Sequence, residues 1–285
     1  MPACPLCRAA GSRVRHAEEW VTIRRCPACS FLFTEDRAGD FRGGAIGREI
    51  AEFYAFLESY REARVAYLGE RLRGLLARTR SGAEPSVLEI GYGGGALARA
   101  ATALGCRYTG LEPLLGEAFH AEAAAPPPAA RLLPLRFEEF ETAERFDLVA
   151  MDNVLEHLAD PVGTVRRALA LLRPGGLLWA QVPNERNLVL KHRLLSLLKD
   201  RRITFPGHVN LFTARTLRRC FREAGAPQVE IGGTSASHPV LAHLLLTRPP
   251  GPLLAAGLGA LRASRLDLLG GWAYWLDAYC PADGR

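Results

Sequence analysis

The sequence lacks any run of apolar residues approaching the ~20 that a bilayer-spanning helix requires, so neither a membrane span nor a membrane partner is expected. Its opening, MPACPLCRAAGSRVRH, has none of the apolar stretch of a secretory leader, which predicts a cytoplasmic chain. Lysine is nearly missing: Lys191 and Lys199 are the only two among 36 basic residues, so the net charge of +6 is carried by arginine. Those arginines are spread along the chain beside many alanines, which reads as a GC-rich coding bias. No nucleic-acid partner is expected. Long internal repeats are missing too, and nothing suggests a serine or cysteine nucleophile triad. What remains is ordinary: 285 residues, 48% hydrophobic and 23% charged, a soluble globular composition with length for one large domain or two small ones.

The seven cysteines are unevenly placed. Cys4, Cys7, Cys26 and Cys29 form two C-x-x-C knuckles with eighteen residues between Cys7 and Cys26, whereas Cys106, Cys220 and Cys280 stand alone as packing residues. In a cytoplasmic chain paired knuckles read as a metal site before disulfides. Four thiolates match the tetrahedral preference of Zn²⁺ and leave no open position, so a structural zinc ribbon over residues 1–35 is expected. So short a segment rarely holds together without a staple.

Residues 36–80 are expected to form N-terminal helices over the binding site, the helical pattern running from Gly47 to Arg78. Tyr54 and Tyr60 on them read as core residues, with closure over the site as the functional alternative. From Val87 onward strands and helices alternate: VLEI, then GYGGGALARAATALG, RYTGLEP, LLPLRF, FDLVAM, a helix and LLWAQVP. Asp160 is a plausible N-cap with Pro161 at the first position, and Val162, Val165, Leu169 and Leu172 form one face before Pro174-Gly175-Gly176. The alternation predicts an α/β domain over 81–250 with a mainly parallel sheet. A basic amphipathic insertion at 188–210 reads as packing or as a cap. Residues 251–285 read as a helical tail whose Trp272, Tyr274, Trp275 and Tyr279 offer a possible homodimer contact.

The central signal is Glu89-Ile90-Gly91-Tyr92-Gly93-Gly94-Gly95, between a strand and a helix. Glycines there let the backbone turn sharply and approach a ligand closely. Gly91, Gly93 and Ala96 also satisfy the loose dinucleotide fingerprint, so the flanking acids must arbitrate. Glu89, aimed at the loop, suits a cation better than a pyrophosphate. Glu112 ends the next strand and can accept hydrogen bonds from both ribose hydroxyls. A nucleoside at one end and positive charge at the other describe S-adenosylmethionine.

The runs VLEIGYGGG, GLEP, FDLVAMDNVLEHLADP and LLRPGGLLWAQVPN resemble the class I S-adenosylmethionine-dependent methyltransferases, in particular the small-molecule group sharing a "VLEH" segment, over residues 85–235. The ribbon is similar to that preceding some sugar C-methyltransferases. The resemblance implies a doubly wound, Rossmann-like sheet of seven strands and a small-molecule acceptor from a biosynthetic pathway. It implies that Glu89, Gly91, Tyr92, Gly93 and Gly95 line the methionine part of the cofactor. Glu112 would hold the ribose, with Pro113 beside the adenine and Phe137 and Glu138 flanking it. Met151, Asp152 and Asn153 would lie beneath the cofactor.

Methyl transfer needs alignment and, for many acceptors, removal of a proton, a task that suits histidine. His157, after the fourth strand, and His208, in FPGHVNLFT, are the candidates for general base or substrate orienter. In the resembling C-methyltransferases a glutamate precedes the second histidine, where Gly207 stands here. Two rival readings follow from the same residues: a nicotinamide-dependent oxidoreductase, which Glu89 argues against, and a non-catalytic cofactor-binding protein that docks on a partner enzyme.

Overall fold

The computed structural model describes residues 2–17, 21–35, 61–113, 130–185, 207–226, 228–234 and 275–282. Tyr54, Tyr60, Trp272, Tyr274 and nearly all of the 188–210 insertion lie outside the described residues, as does the start of the first expected helix.

Three short strands open the chain: β1 (Arg13–Ala17), β2 (Thr22–Arg25) and β3 (Leu32–Thr34), paired antiparallel in that order. Helix α1 (Arg61–Leu76) follows, then β4 (Ser86–Ile90), α2 (Ala96–Ala103), β5 (Arg107–Leu111), β6 (Ala130–Leu133) and β7 (Phe146–Asp152). Helix α3 (Pro161–Ala170) leads into the long β8 (Leu172–Pro183). The chain ends with β9 (Asn210–Leu211), α4 (Ala214–Glu223), β10 (Glu230–Thr234) and β11 (Trp275–Pro281).

The main sheet has seven strands in the order β10-β11-β8-β7-β4-β5-β6. The pairs β4–β5, β4–β7, β5–β6 and β7–β8 are parallel, and β11 runs antiparallel to both neighbours. Every residue of β4 and β7 is buried, as central parallel strands covered on both faces must be; hence their unbroken apolar runs. Strand alternation divides the core in two. On one face Val87, Leu148 and Trp179 pack against Leu68, Leu72 and Leu75 of α1 and Leu97 of α2. On the other, Leu88, Val149 and Leu178 meet Val162 and Val165 of α3, Leu217 and Phe221 of α4, and the ribbon's Cys4, Phe31 and Phe33.

The ribbon is therefore built into the core. Its β3 also pairs antiparallel with β9, so a strand from beyond β8 completes the small sheet β1-β2-β3-β9.

Helix α3 starts as its sequence predicts: the Asp160 carboxylate accepts from the Gly163 N–H at 3.1 Å, with Pro161 at the first position. Thr213 likewise caps α4. Leu172, expected on the face of α3, instead begins β8. The larger correction is at the chain's end. Residues 275–281, expected to be helical, form β11. A seven-residue apolar run cannot be assigned to helix or strand by periodicity, and its Trp and Tyr suit a strand slotted between two others. Trp275 and Tyr279, expected on a helical dimer face, are consequently part of the sheet.

Candidate active site

The glycine loop leaves the carboxyl end of β4 with Gly91, Gly93 and Gly95 at φ of +74°, +47° and +72°, the left-handed region where a side chain is costly. The N–H groups of Gly91 and Tyr92 donate to the Leu111 carbonyl at 2.7 and 3.2 Å, tying the loop to the end of β5. A Cβ on Gly91 would stand 2.5 Å from Cγ2 of Val154, so the approach of that turn is open to glycine alone. Beside Gly94 and Gly95, in contrast, nothing lies within 4 Å of an added Cβ. The Gly93 N–H donates to Oε2 of Glu112 at 3.2 Å, turning that carboxylate toward the loop. Tyr92 is buried, and Pro113 is exposed.

Three acids converge here. Glu89 is 3% exposed and accepts a short hydrogen bond from the Tyr108 hydroxyl. Burial pushes its carboxyl up to about 8, reinforced by Asp152 and Glu112 and opposed by the Tyr108 bond and by Arg64. Asp152, at the end of β7, accepts from Nη2 of Arg64 at 2.6 Å and from Nδ2 of Asn153 at 2.8 Å. Asn153 adopts φ +57° and accepts from Nε1 of Trp275 at 3.1 Å. Arg64 on α1 went unread in the sequence, and Trp275 on β11 was read only as part of an aromatic tail. Each sits far from the motifs, and only the folded sheet brings it to the pocket.

Other expected cofactor residues divide. Met151 is wholly buried in the core, and Phe137 is buried under the Arg167 guanidinium, which stands 5.3 Å from its ring centroid. Glu138 is exposed on the same short turn.

The two histidines, fifty-one positions apart in sequence, meet in space. Their ring centroids are 4.8 Å apart at 72°. The turn at residues 155–158 after β7 is bound to the 207–210 segment by four hydrogen bonds. The Val209 N–H donates to the Glu156 carbonyl at 2.8 Å. Asn210 Nδ2 donates to the carbonyls of Leu155 and Leu158 at 3.1 and 2.6 Å, and His157 Nδ1 donates to the Gly207 carbonyl at 2.9 Å. That last bond fixes the tautomer and leaves the lone pair on Nε2. Burial lowers the His157 pKa, partly offset by the Gly207 bond, so the ring is neutral at pH 7.

Beside it lies Glu156, a residue the sequence reading passed over. It is 1% exposed, neither carboxyl oxygen has a hydrogen-bond partner among the described residues, and Oε1 is 3.9 Å from His157 Nε2. Burial drives its pKa well above the ordinary range, so the group is held as a neutral acid. One ligand atom from each of Glu156, His157 and His208 lies within 4.8 Å of the others, within reach of a shared proton or a single cation. The signal for Glu156 was present in the sequence: a carboxylate inside the otherwise apolar V-L-E-H.

The four knuckle cysteines also converge, all Sγ atoms lying within 4.8 Å of one another. Cys4–Cys29 and Cys7–Cys26 are each 3.6 Å apart, too far for a disulfide bond. Sulfurs at the corners of a tetrahedron around Zn²⁺ are about 3.8 Å apart, so the set fits that ion. Burial pushes the Cys4 thiol up to about 11 and Cys29 higher still, and a cation at their centre would reverse that preference.

The profile of a methyltransferase domain matches residues 57–230, well over half the chain. The chain belongs to the methyltransferase-domain family. Within it, the order of the main sheet and the acid-flanked glycine loop are those of a class I S-adenosylmethionine-dependent enzyme. A ubiquinone biosynthesis O-methyltransferase of Methylobacterium sp. (strain 4-46) is 38% identical over 137 residues, covering 45% of this methyltransferase and 54% of the relative. One of the same description from Actinobacillus pleuropneumoniae serotype 7 is 31% identical over 129 residues, 42% and 52% of the two chains. The chain thus spans about half the length of the curated relatives it matches. Among solved structures, the plantazolicin methyltransferase BpumL, bound to a monoazolic desmethylPZN analog and SAH, superposes with a TM-score of 0.57 at 16% identity. That match covers 86% of this chain and 93% of the other. A methyltransferase in complex with the Haloferax volcanii Trm112 activator gives 0.54 at 18%, covering 82% and 96%. At such identities both matches speak for the fold alone.

Proposed function

We propose that this methyltransferase transfers a methyl group from S-adenosylmethionine to a hydroxyl of a small biosynthetic intermediate, with His157 and His208 handling the hydroxyl proton. The observation that carries the reading is the half-buried imidazole pair at the carboxyl end of β7, beside the acid-lined loop. The O-methyltransferase names of the relatives support oxygen as the acceptor atom.

Bound S-adenosylmethionine supplies a methyl group already activated by its positively charged sulfur. Asp152 and Glu112 set negative potential around the glycine loop, and Glu89 adds to it by ionising when a cation binds, which suits a cationic nucleoside and repels a pyrophosphate. Glu112, half-exposed beside the Gly93 N–H, is the acceptor for ribose hydroxyls. Nε2 of His157 takes the acceptor's proton on methyl transfer, leaving an imidazolium beside Glu156. His208 orients the hydroxyl across the pair. We assign Zn²⁺ to Cys4, Cys7, Cys26 and Cys29, where the sulfur spacing supports a closed structural site.

Calorimetry with S-adenosylhomocysteine, followed by transfer of labelled methyl to a panel of phenolic acceptors, tests the reading. Micromolar binding and turnover by the purified chain are expected. Binding without turnover on any acceptor would favour the non-catalytic alternative, and no binding at high micromolar concentration would overturn both.

A further inference from the structure

The ribbon's third strand touches the same backbone that carries His208. The Thr34 N–H donates to the Val209 carbonyl at 3.0 Å, Phe33 pairs with Asn210 and Leu32 with Leu211. Behind them the Phe31 and Phe212 rings, both wholly buried, stand 5.2 Å apart. On its other side the segment from Gly207 to Asn210 is held by the turn bearing Glu156 and His157. Two residues of β9 are too few to hold a place unaided. The segment is thus clamped, with the knuckles on one side and the β7 turn on the other. Phe31 follows Cys29 by two residues and strand β3 begins at the next position, so the sulfur cluster fixes where the strand starts.

From this geometry we infer that the four-cysteine ribbon is a positioning element for the histidine pair: β3 and Phe31 hold residues 207–212 so that His208 faces His157, and the metal holds β3. The inference rests on the histidine reading above. It assigns the ribbon a task in turnover that a docking module or a mere stabiliser of the sheet would not have. The cofactor half of the pocket stands on β4, β5 and β7, whose pairing the ribbon does not enter.

Releasing zinc from the folded holoenzyme with a chelator, with the metal followed by atomic absorption, separates these possibilities. Turnover is expected to fall at least ten-fold and to return on adding zinc, while the dissociation constant for S-adenosylhomocysteine stays within two-fold. The His157 Nδ1 proton, protected by the Gly207 carbonyl in the holoenzyme, is expected to vanish from the ¹H–¹⁵N imidazole spectrum. Phe31→Leu in zinc-loaded protein, which removes no metal ligand, is expected to reproduce both effects in weaker form, and it decides the matter should the chelated protein precipitate. Unchanged turnover, an unchanged imidazole proton, or cofactor affinity lost in step with turnover would each overturn the inference. The imidazole proton reports the ribbon's hold on residues 207–212 even where substitution of the histidines shows that they carry no proton, so failure of the base assignment is read separately.

Discussion

Glu89 links the charge of the ligand to the pH of the solution. With its carboxyl pushed up to about 8, the group is mostly neutral at pH 7 in the unliganded protein. A ligand bearing positive charge favours the ionised form, so affinity for S-adenosylmethionine is expected to rise as pH increases from 6 to 8.5. The sign for folding is opposite. A raised carboxyl pKa contributes stability that is complete below the ordinary 4.5 and is lost as pH climbs through about 8. The rise in melting temperature caused by S-adenosylmethionine is therefore expected to be larger at pH 8.5 than at pH 6. In Glu89→Gln it should be smaller and equal at both. His157 gives the second prediction at this scale. Its pKa is lowered from 6.5 by burial, so the neutral base is already present under mildly acidic conditions. kcat/KM is expected to rise from pH 5 and level off below pH 6.5. His157→Gln should lose most of the roughly 10²–10⁴-fold that a general base contributes, with cofactor affinity unchanged.

Among the elements, β11 shows most plainly what local sequence does and does not say. The cap at Asp160 was legible because a cap is a contact between residues three apart. β11 was not, because its identity rests on partners about a hundred positions away. Asp277 at its centre is 1% exposed, accepts from Trp179 Nε1 and Gln181 Nε2 at 3.0 Å each, and forms a close ion pair with Arg71 of α1. An acid in an apolar run looks like a helix's polar face until the arginine is placed opposite it. Removing one partner of a buried pair strands the other charge, so Asp277→Ala is expected to destabilise by about 3–5 kcal/mol in urea denaturation. The double substitution Arg71→Met with Asp277→Leu should recover most of that loss, since apolar side chains of similar size replace buried ion pairs at little cost. A double variant as unstable as Asp277→Ala would show that the loss came from the strand's side-chain packing.

At the scale of the whole molecule, the strand–loop–helix run that we propose holds the cofactor was legible as local structure. The loop and its acids lie within a few residues of strand ends, and the alternation of strands and helices implies right-handed crossovers in a mainly parallel sheet. The acceptor half that we propose draws on distant pieces, the V-L-E-H turn, the segment before β9, α1 and β11, so only single residues of it could be named in advance. The ribbon belongs to this second kind. Its knuckles announce a metal site, but nothing in residues 1–35 announces that Phe31 and Phe33 will share one core with Leu217 and Phe221 of α4. That sharing makes the chain one cooperative unit. Deleting residues 1–35 would expose Phe212 and leave β9 with no strand to pair, adding an apolar patch and an open edge together. The truncated protein is expected to bind a hydrophobic dye and to aggregate on size-exclusion chromatography. The full chain should unfold in one transition by both tryptophan fluorescence and far-ultraviolet circular dichroism. A monodisperse truncated protein, or two separate transitions in the full chain, would mean that the ribbon is an appended domain and that the shared core contributes little to holding the molecule together.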